Sequence, residues 1–232
     1  MDFTKILSIN VNTVVGKLIL INIVVYIVLA VTGVVFFILY GLYTDAFFSL
    51  FFLIKPGSGY SILYIIHFVF DIPILLVGLD ILLYGYWWEL LTSMFIHANI
   101  LHLGFNMFAL KVLGEPLEKL VGKLRLLVVF LLSGTVGNVL TVLTNPTTIS
   151  LGASGGIFGI AATISFIEYK LFKYTRSLKW LLLVFLISSL PLAGGVPNII
   201  AHFGGLVTGA TLGLIYASKL RETYGNIEDY YY

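Results

Sequence analysis

The chain has 232 residues, 59% of them hydrophobic and only 10% charged, with a net charge of +2. A soluble domain carries about a quarter charged residues; this composition, with a mean hydropathy of +1.06, excludes one and indicates a single integral membrane bundle. The small positive balance gives no support for a nucleic-acid partner, and the lack of Cys excludes disulfides and thiolate metal sites.

A spanning helix needs about 20 apolar residues. The first candidate runs from about Lys17 to Tyr40. Lys5 before it is followed by only a short apolar stretch, so this run reads as a retained span and not a cleaved leader. A long segment follows, from Gly41 to Phe95, apolar but broken by Pro56, Gly57, Gly59, Asp71, Pro73, Asp80 and Gly85. Its aromatics culminate in Tyr86, Trp87 and Trp88, which suits a membrane-interface structure or a hairpin dipping into the bilayer. The remaining candidates run from His102 to Val121, Leu124 to Leu143, Ala153 to Leu171, Leu178 to Leu192 and Ile199 to Lys219.

Charge sets the expected orientation. Lys5 and Lys17 precede the first span, and Lys119, Lys123 and Arg125 separate the second from the third. Lys170, Lys173, Arg176 and Lys179 separate the fourth from the fifth, and Lys219 and Arg221 follow the sixth. The loops 144–151 and 191–198 have neither Lys nor Arg. The positive-inside rule then predicts two cytoplasmic termini, with residues 1–16 and 220–232 outside a membrane domain of residues 17–219. It also puts the starts of the fourth and sixth spans on the outer side.

Three polar clusters stand out in this apolar background, where polar groups are costly. Ser154 lies in Gly152-Ala153-Ser154-Gly155-Gly156, at a loop-to-helix junction. A helix N-terminus offers free N–H groups and a positive dipole end, which suit a developing oxyanion. Taken alone, the pattern reads more readily as an N-cap serine on a small-residue face. His202 lies three residues before Gly205, which with Gly209 and Gly213 forms a stripe at four-residue spacing. A lone histidine there reads equally well as one bonded to a carbonyl. The fourth span has stripes of its own, Gly152/Gly156 and Gly155/Gly159. Stripe packed on stripe would bring Ser154 and His202 together, with Phe158 placed to stack on the imidazole. The third cluster is His97-Ala98-Asn99-Ile100-Leu101-His102-Leu103-Gly104-Phe105-Asn106. His102 and Asn106 share a helix face and could donate to an oxyanion; the plainer reading is polar glue between helices.

No acid is in position to make a triad. Between Arg125 and Ser218 the only one is Glu168, fourteen residues past Ser154 and so about 21 Å away at 1.5 Å per residue. Asp71 and Asp80 are the remaining outer-side acids. The expectation is a Ser–His dyad. The four histidines, His67, His97, His102 and His202, form no HExxH, so zinc chemistry is not expected.

HANILHLGFN, LGASGGIFG and AHFGGLVTG, in this order within residues 86–219, resemble the rhomboid family of intramembrane serine proteases. The resemblance implies an all-α, six-transmembrane-helix bundle with a long membrane-associated first loop and an outward-facing wet cavity. It implies that Ser154 is the nucleophile and His202 the base, and that His102, Asn106 and the Ser154 N–H hold the oxyanion. It implies that His97 is structural, that Gly205 and Gly209 are helix-packing glycines, and that Gly152 precedes the nucleophile. Glu118 resembles the acid common in the loop after the second helix. Substrates would be transmembrane segments of other membrane proteins, with no cofactor. Glu89 after Trp88 and Phe158 depart from the residues usual there, Arg and Tyr. The expected function is a serine endopeptidase of the cell membrane, with loop 190–198 as a lid. The alternatives are a non-catalytic rhomboid-like protein that binds membrane clients, and a small transporter.

Overall fold

A computed structural model describes residues 8–40, 85–148, 150–173, 175, 177–188 and 197–224. The described helices are α1 (Val14–Tyr40), α2 (Glu89–Thr92), α3 (Ile100–Val121), α4 (Lys123–Thr144), α5 (Ser154–Phe172), α6 (Leu178–Ser188) and α7 (Ile199–Tyr224). A 3-10 turn, Ser93–Phe95, follows α2. The described residues contain no strand. His67, Asp71, Asp80 and most of the long first segment lie outside them, as does the expected lid except for Pro197 and Asn198.

Four helices, α1, α4, α5 and α7, are long and apolar enough to cross a membrane. The pair Glu89–Phe95 and Ile100–Val121, bent by 96°, gives a fifth. The protein is therefore an integral membrane protein. The described part of α6 has eleven residues, shorter than a span.

Two helix ends differ from expectation for local reasons. α1 starts earlier because Glu118 accepts from the Val14 and Val15 N–H groups, at 2.9 Å each. That carboxylate satisfies donors that a helix N-terminus otherwise leaves orphaned. Glu118 thus belongs to α3 and not to the loop after it, because Gly122 (φ 87°) ends the helix four residues later. α7 runs past Lys219 to Tyr224.

α5 sits at the centre, with 13 of its 19 residues buried. The bilayer supplies no hydrophobic force between helices, so close association relies on small residues and backbone approach. Gly205 of α7 lies on the Gly155 backbone, and Gly209 on that of Gly159. Gly213 lies on Thr163, whose hydroxyl donates to the Gly209 carbonyl at 2.9 Å. On the other side Gly137 of α4 meets the Ala201 carbonyl. The Gly155/Gly159 stripe is thus the one that faces α7. The Gly152/Gly156 stripe does not: Gly156 packs on Phe130 and Gly152 on His102, because successive stripes diverge around the helix.

Candidate active site

Ser154 is the first residue of α5, preceded by Ala153 in helical geometry and Gly152 at φ 105°. A side chain at Gly152 would be strained, and its Cβ would come within 2.8 Å of the His102 ring. The Gly152 N–H donates to the Ser93 carbonyl at 2.9 Å, which ties the turn to the segment before α3.

His202 lies on the first turn of α7. Asn198 caps that turn: its Oδ1 accepts from the Ala201 N–H at 3.0 Å and its carbonyl from the His202 N–H at 3.1 Å. Ser154 Oγ and His202 Nε2 are 2.8 Å apart. The His202 ring stacks on Phe158, with centroids 4.5 Å apart and planes inclined by 22°. This face-to-face contact restricts the imidazole without an acid. The described carboxylates Glu118 and Glu168 are engaged elsewhere, with the N-terminus of α1 and with Ser177. Glu89 is fully buried at the start of α2.

His102 occupies the first turn of α3, which Asn99 caps by accepting from the His102 N–H at 2.8 Å. Its Nδ1 lies 3.4 Å from the Ala98 N–H, a group that can only donate. The neutral ring consequently carries its proton on Nε2, the nitrogen beside Gly152. Asn106, one turn on, donates to the His102 carbonyl at 2.8 Å and keeps a second N–H. His97 is buried and meets the His102 ring edge-on, with centroids 5.0 Å apart.

Ser154, His202, His102 and Asn106 line one cavity of about 120 Å³, with Trp180 and Val184 of α6 on its wall. A serine hydroxyl bonded to one imidazole, a second imidazole and an amide thus converge on one space. Among the described residues, no three His, Cys, Asp or Glu side chains cluster to hold a metal.

The Rhomboid domain family matches residues 84–219 of this sequence. The chain belongs to the rhomboid family. RHOMBOID-like protein 6, mitochondrial, of Arabidopsis thaliana is 39% identical over 133 residues, which are 55% of this chain and 43% of that protein. Rhomboid protease GluP of Bacillus subtilis is 35% identical over 56% of this chain and 27% of its own length. Rhomboid-like protease 3 of Toxoplasma gondii is 34% identical over 58% of this chain and 54% of its own. This rhomboid therefore spans about half or less of the relatives named. The family includes serine proteases of the membrane.

Sequence reasoning missed three polar residues on the cavity wall, Asn138, Ser150 and Asn198, and Thr141 behind Asn198. Asn138 accepts from the Ser150 hydroxyl at 3.0 Å, and Asn198 donates to the Thr141 hydroxyl at 2.9 Å. The available signal was a face of α4, Gly134/Gly137/Asn138/Thr141, at i, i+3, i+4 and i+7 in an otherwise apolar helix.

Proposed function

We propose that this chain is an intramembrane serine endopeptidase that cuts transmembrane segments of other membrane proteins. The observation that carries the reading is the 2.8 Å separation of Ser154 Oγ and His202 Nε2 at the edge of a cavity. His202 Nε2 takes the hydroxyl proton as Ser154 Oγ bonds to the scissile carbonyl carbon. The oxyanion lies toward the Ser154 N–H, the His102 Nε2–H and Asn106. His202 returns the proton to the amine as the C–N bond breaks. His202 then takes a proton from water as its oxygen bonds to the acyl carbon, and returns it to Ser154 Oγ as the ester bond breaks and the acid product leaves. Phe158 stacking and the α7 cap take the orienting role that an acid fills in a triad. Gly205 and Gly209 bring the two helices close enough, Gly152 makes room for His102, and His97 backs the His102 ring.

The wider reading is a six-helix bundle of residues 17–219 in the cell membrane, with residues 1–16 and 220–232 cytoplasmic. The long first segment lies along the membrane and loop 190–198 covers the site. Client binding without catalysis is disfavoured, because it would leave the hydrogen-bonded pair without a purpose.

Fluorophosphonate labelling and cleavage of a transmembrane test substrate, both in proteoliposomes, decide between these. Ser154→Ala should abolish labelling, and Ser154→Ala and His202→Ala should each lower turnover at least about 10³-fold. Cleavage by both variants at the wild-type rate would remove the dyad.

A further inference from the structure

We propose that Asn138 and Thr141 of α4 are positioning residues that set the separation of Ser154 and His202; the proposal rests on the dyad reading above. The two dyad residues are 48 positions apart in the chain and sit on different helices. The glycine seam and the Thr163–Gly209 hydrogen bond across it hold α5 to α7 below the site, whereas Ser154 and His202 sit at the helix ends, beyond that bond. A slip of one residue rise, about 1.5 Å, is enough to break the dyad hydrogen bond. The two ends that carry the dyad are both bonded to α4, which can hold them to a common body.

Asn138 is 5% exposed and uses both of its N–H groups. They donate to the Leu90 carbonyl at 2.9 Å and to Ser93 Oγ at 3.0 Å. Its Oδ1 accepts from Ser150 Oγ at 3.0 Å. Ser93 in turn accepts from the Gly152 N–H. The loop entering Ser154 is thus held at Ser150 and Gly152, through Asn138 and through its neighbour Ser93. Thr141 lies on the same face one turn on and is fully buried. Its hydroxyl donates to the Gly137 carbonyl at 3.0 Å and accepts from Asn198 Nδ2 at 2.9 Å. Asn198 is the cap of the turn that carries His202. One continuous path therefore runs from the Ser154 loop to Asn138, along one turn of α4 to Thr141, and through Asn198 to His202. Helix backbone is stiff over one turn, so the path transmits a fixed spacing.

The test uses the full chain in proteoliposomes, with rates normalised to the folded, monodisperse fraction. Thr141→Val keeps the side-chain volume and loses the hydroxyl. It should lower kcat about tenfold, the scale of one lost hydrogen bond, with KM within about twofold. Thr141→Ser should restore kcat. In an Asn198→Ala background Thr141→Val should have no further effect, because its route to His202 is already cut. Asn138→Asp keeps the acceptor for Ser150 and loses both donors, and should also lower kcat with little change in KM. A kcat within twofold of wild type for Thr141→Val, no rescue by Ser, or additivity with Asn198→Ala overturns the proposal. Ser154→Ala and His202→Ala run alongside. If they still cleave, the dyad reading has failed; if they are dead while Thr141→Val is fully active, only the positioning role has failed.

Discussion

The seam between α5 and α7 and the flank formed by α6 are built on opposite principles. In the seam, backbone lies on backbone: Gly205 on Gly155 and Gly209 on Gly159, with a threonine hydroxyl bonded across. The most apolar stretch of α5 is 72% buried, against 39% for α7 and 50% for α4. α6 instead meets its neighbours through large side chains, with Phe185 edge-on to Phe158 at 6.3 Å between centroids, and turns Leu182 and Leu186 outward, each more than half exposed. Its firm attachment is at its start, where Glu168 accepts from the Ser177 N–H at 2.7 Å and the Ser177 hydroxyl at 3.0 Å. The contrast has a physical basis. Atoms in lipid lose little by leaving a helix, so only sub-side-chain approach and hydrogen bonds make a contact rigid. The 2.8 Å hydrogen bond between Ser154 and His202 falls at the end of this seam.

The sharpest way to break this contrast is to force the seam apart. Gly209→Val places side-chain atoms into the Gly159 backbone, which cannot yield as a side-chain tip can. Thermal unfolding in detergent should show a loss of about 3 kcal/mol or more. Gly152→Ala should act on chemistry ahead of stability. It combines a φ of 105° with contact on the His102 ring, the oxyanion donor of the proposed mechanism. Turnover should fall about 10²-fold while the bundle still folds, as circular dichroism and cleavage assays would register together. The smallest effect belongs to α6. Leu182→Ala, on its outward face, should leave the unfolding transition within about 0.5 kcal/mol of wild type. A large loss there would mean that the flank is as rigid as the seam.

Much of the candidate site was legible because its signals are local. Ser154 and His202 stood out as polar residues beside glycine in apolar runs, and His102 and Asn106 as a pair on one face. Glu118 lies inside the span expected to end at Val121, but its role was not legible because its partners, the Val14 and Val15 N–H groups, lie more than a hundred residues away in sequence. The Gly152/Gly156 stripe was misassigned because spacing gives a face but not the neighbour that covers it. Asn138 and Thr141 passed unread because each looks like an isolated polar residue in a spanning helix until its partners are in place.

Composition and periodicity determined the membrane class, the main spans and the set of residues able to do chemistry, since each follows from transfer energies and helix geometry along one stretch of chain. Only the tertiary structure decided which stripe meets which, that His202 stacks on Phe158, and that α4 ties both halves of the proposed dyad. Those depend on the rotation and axial offset of one helix against another. A near-uniformly apolar sequence fixes these weakly, and backbone contacts and a handful of buried hydrogen bonds fix them firmly.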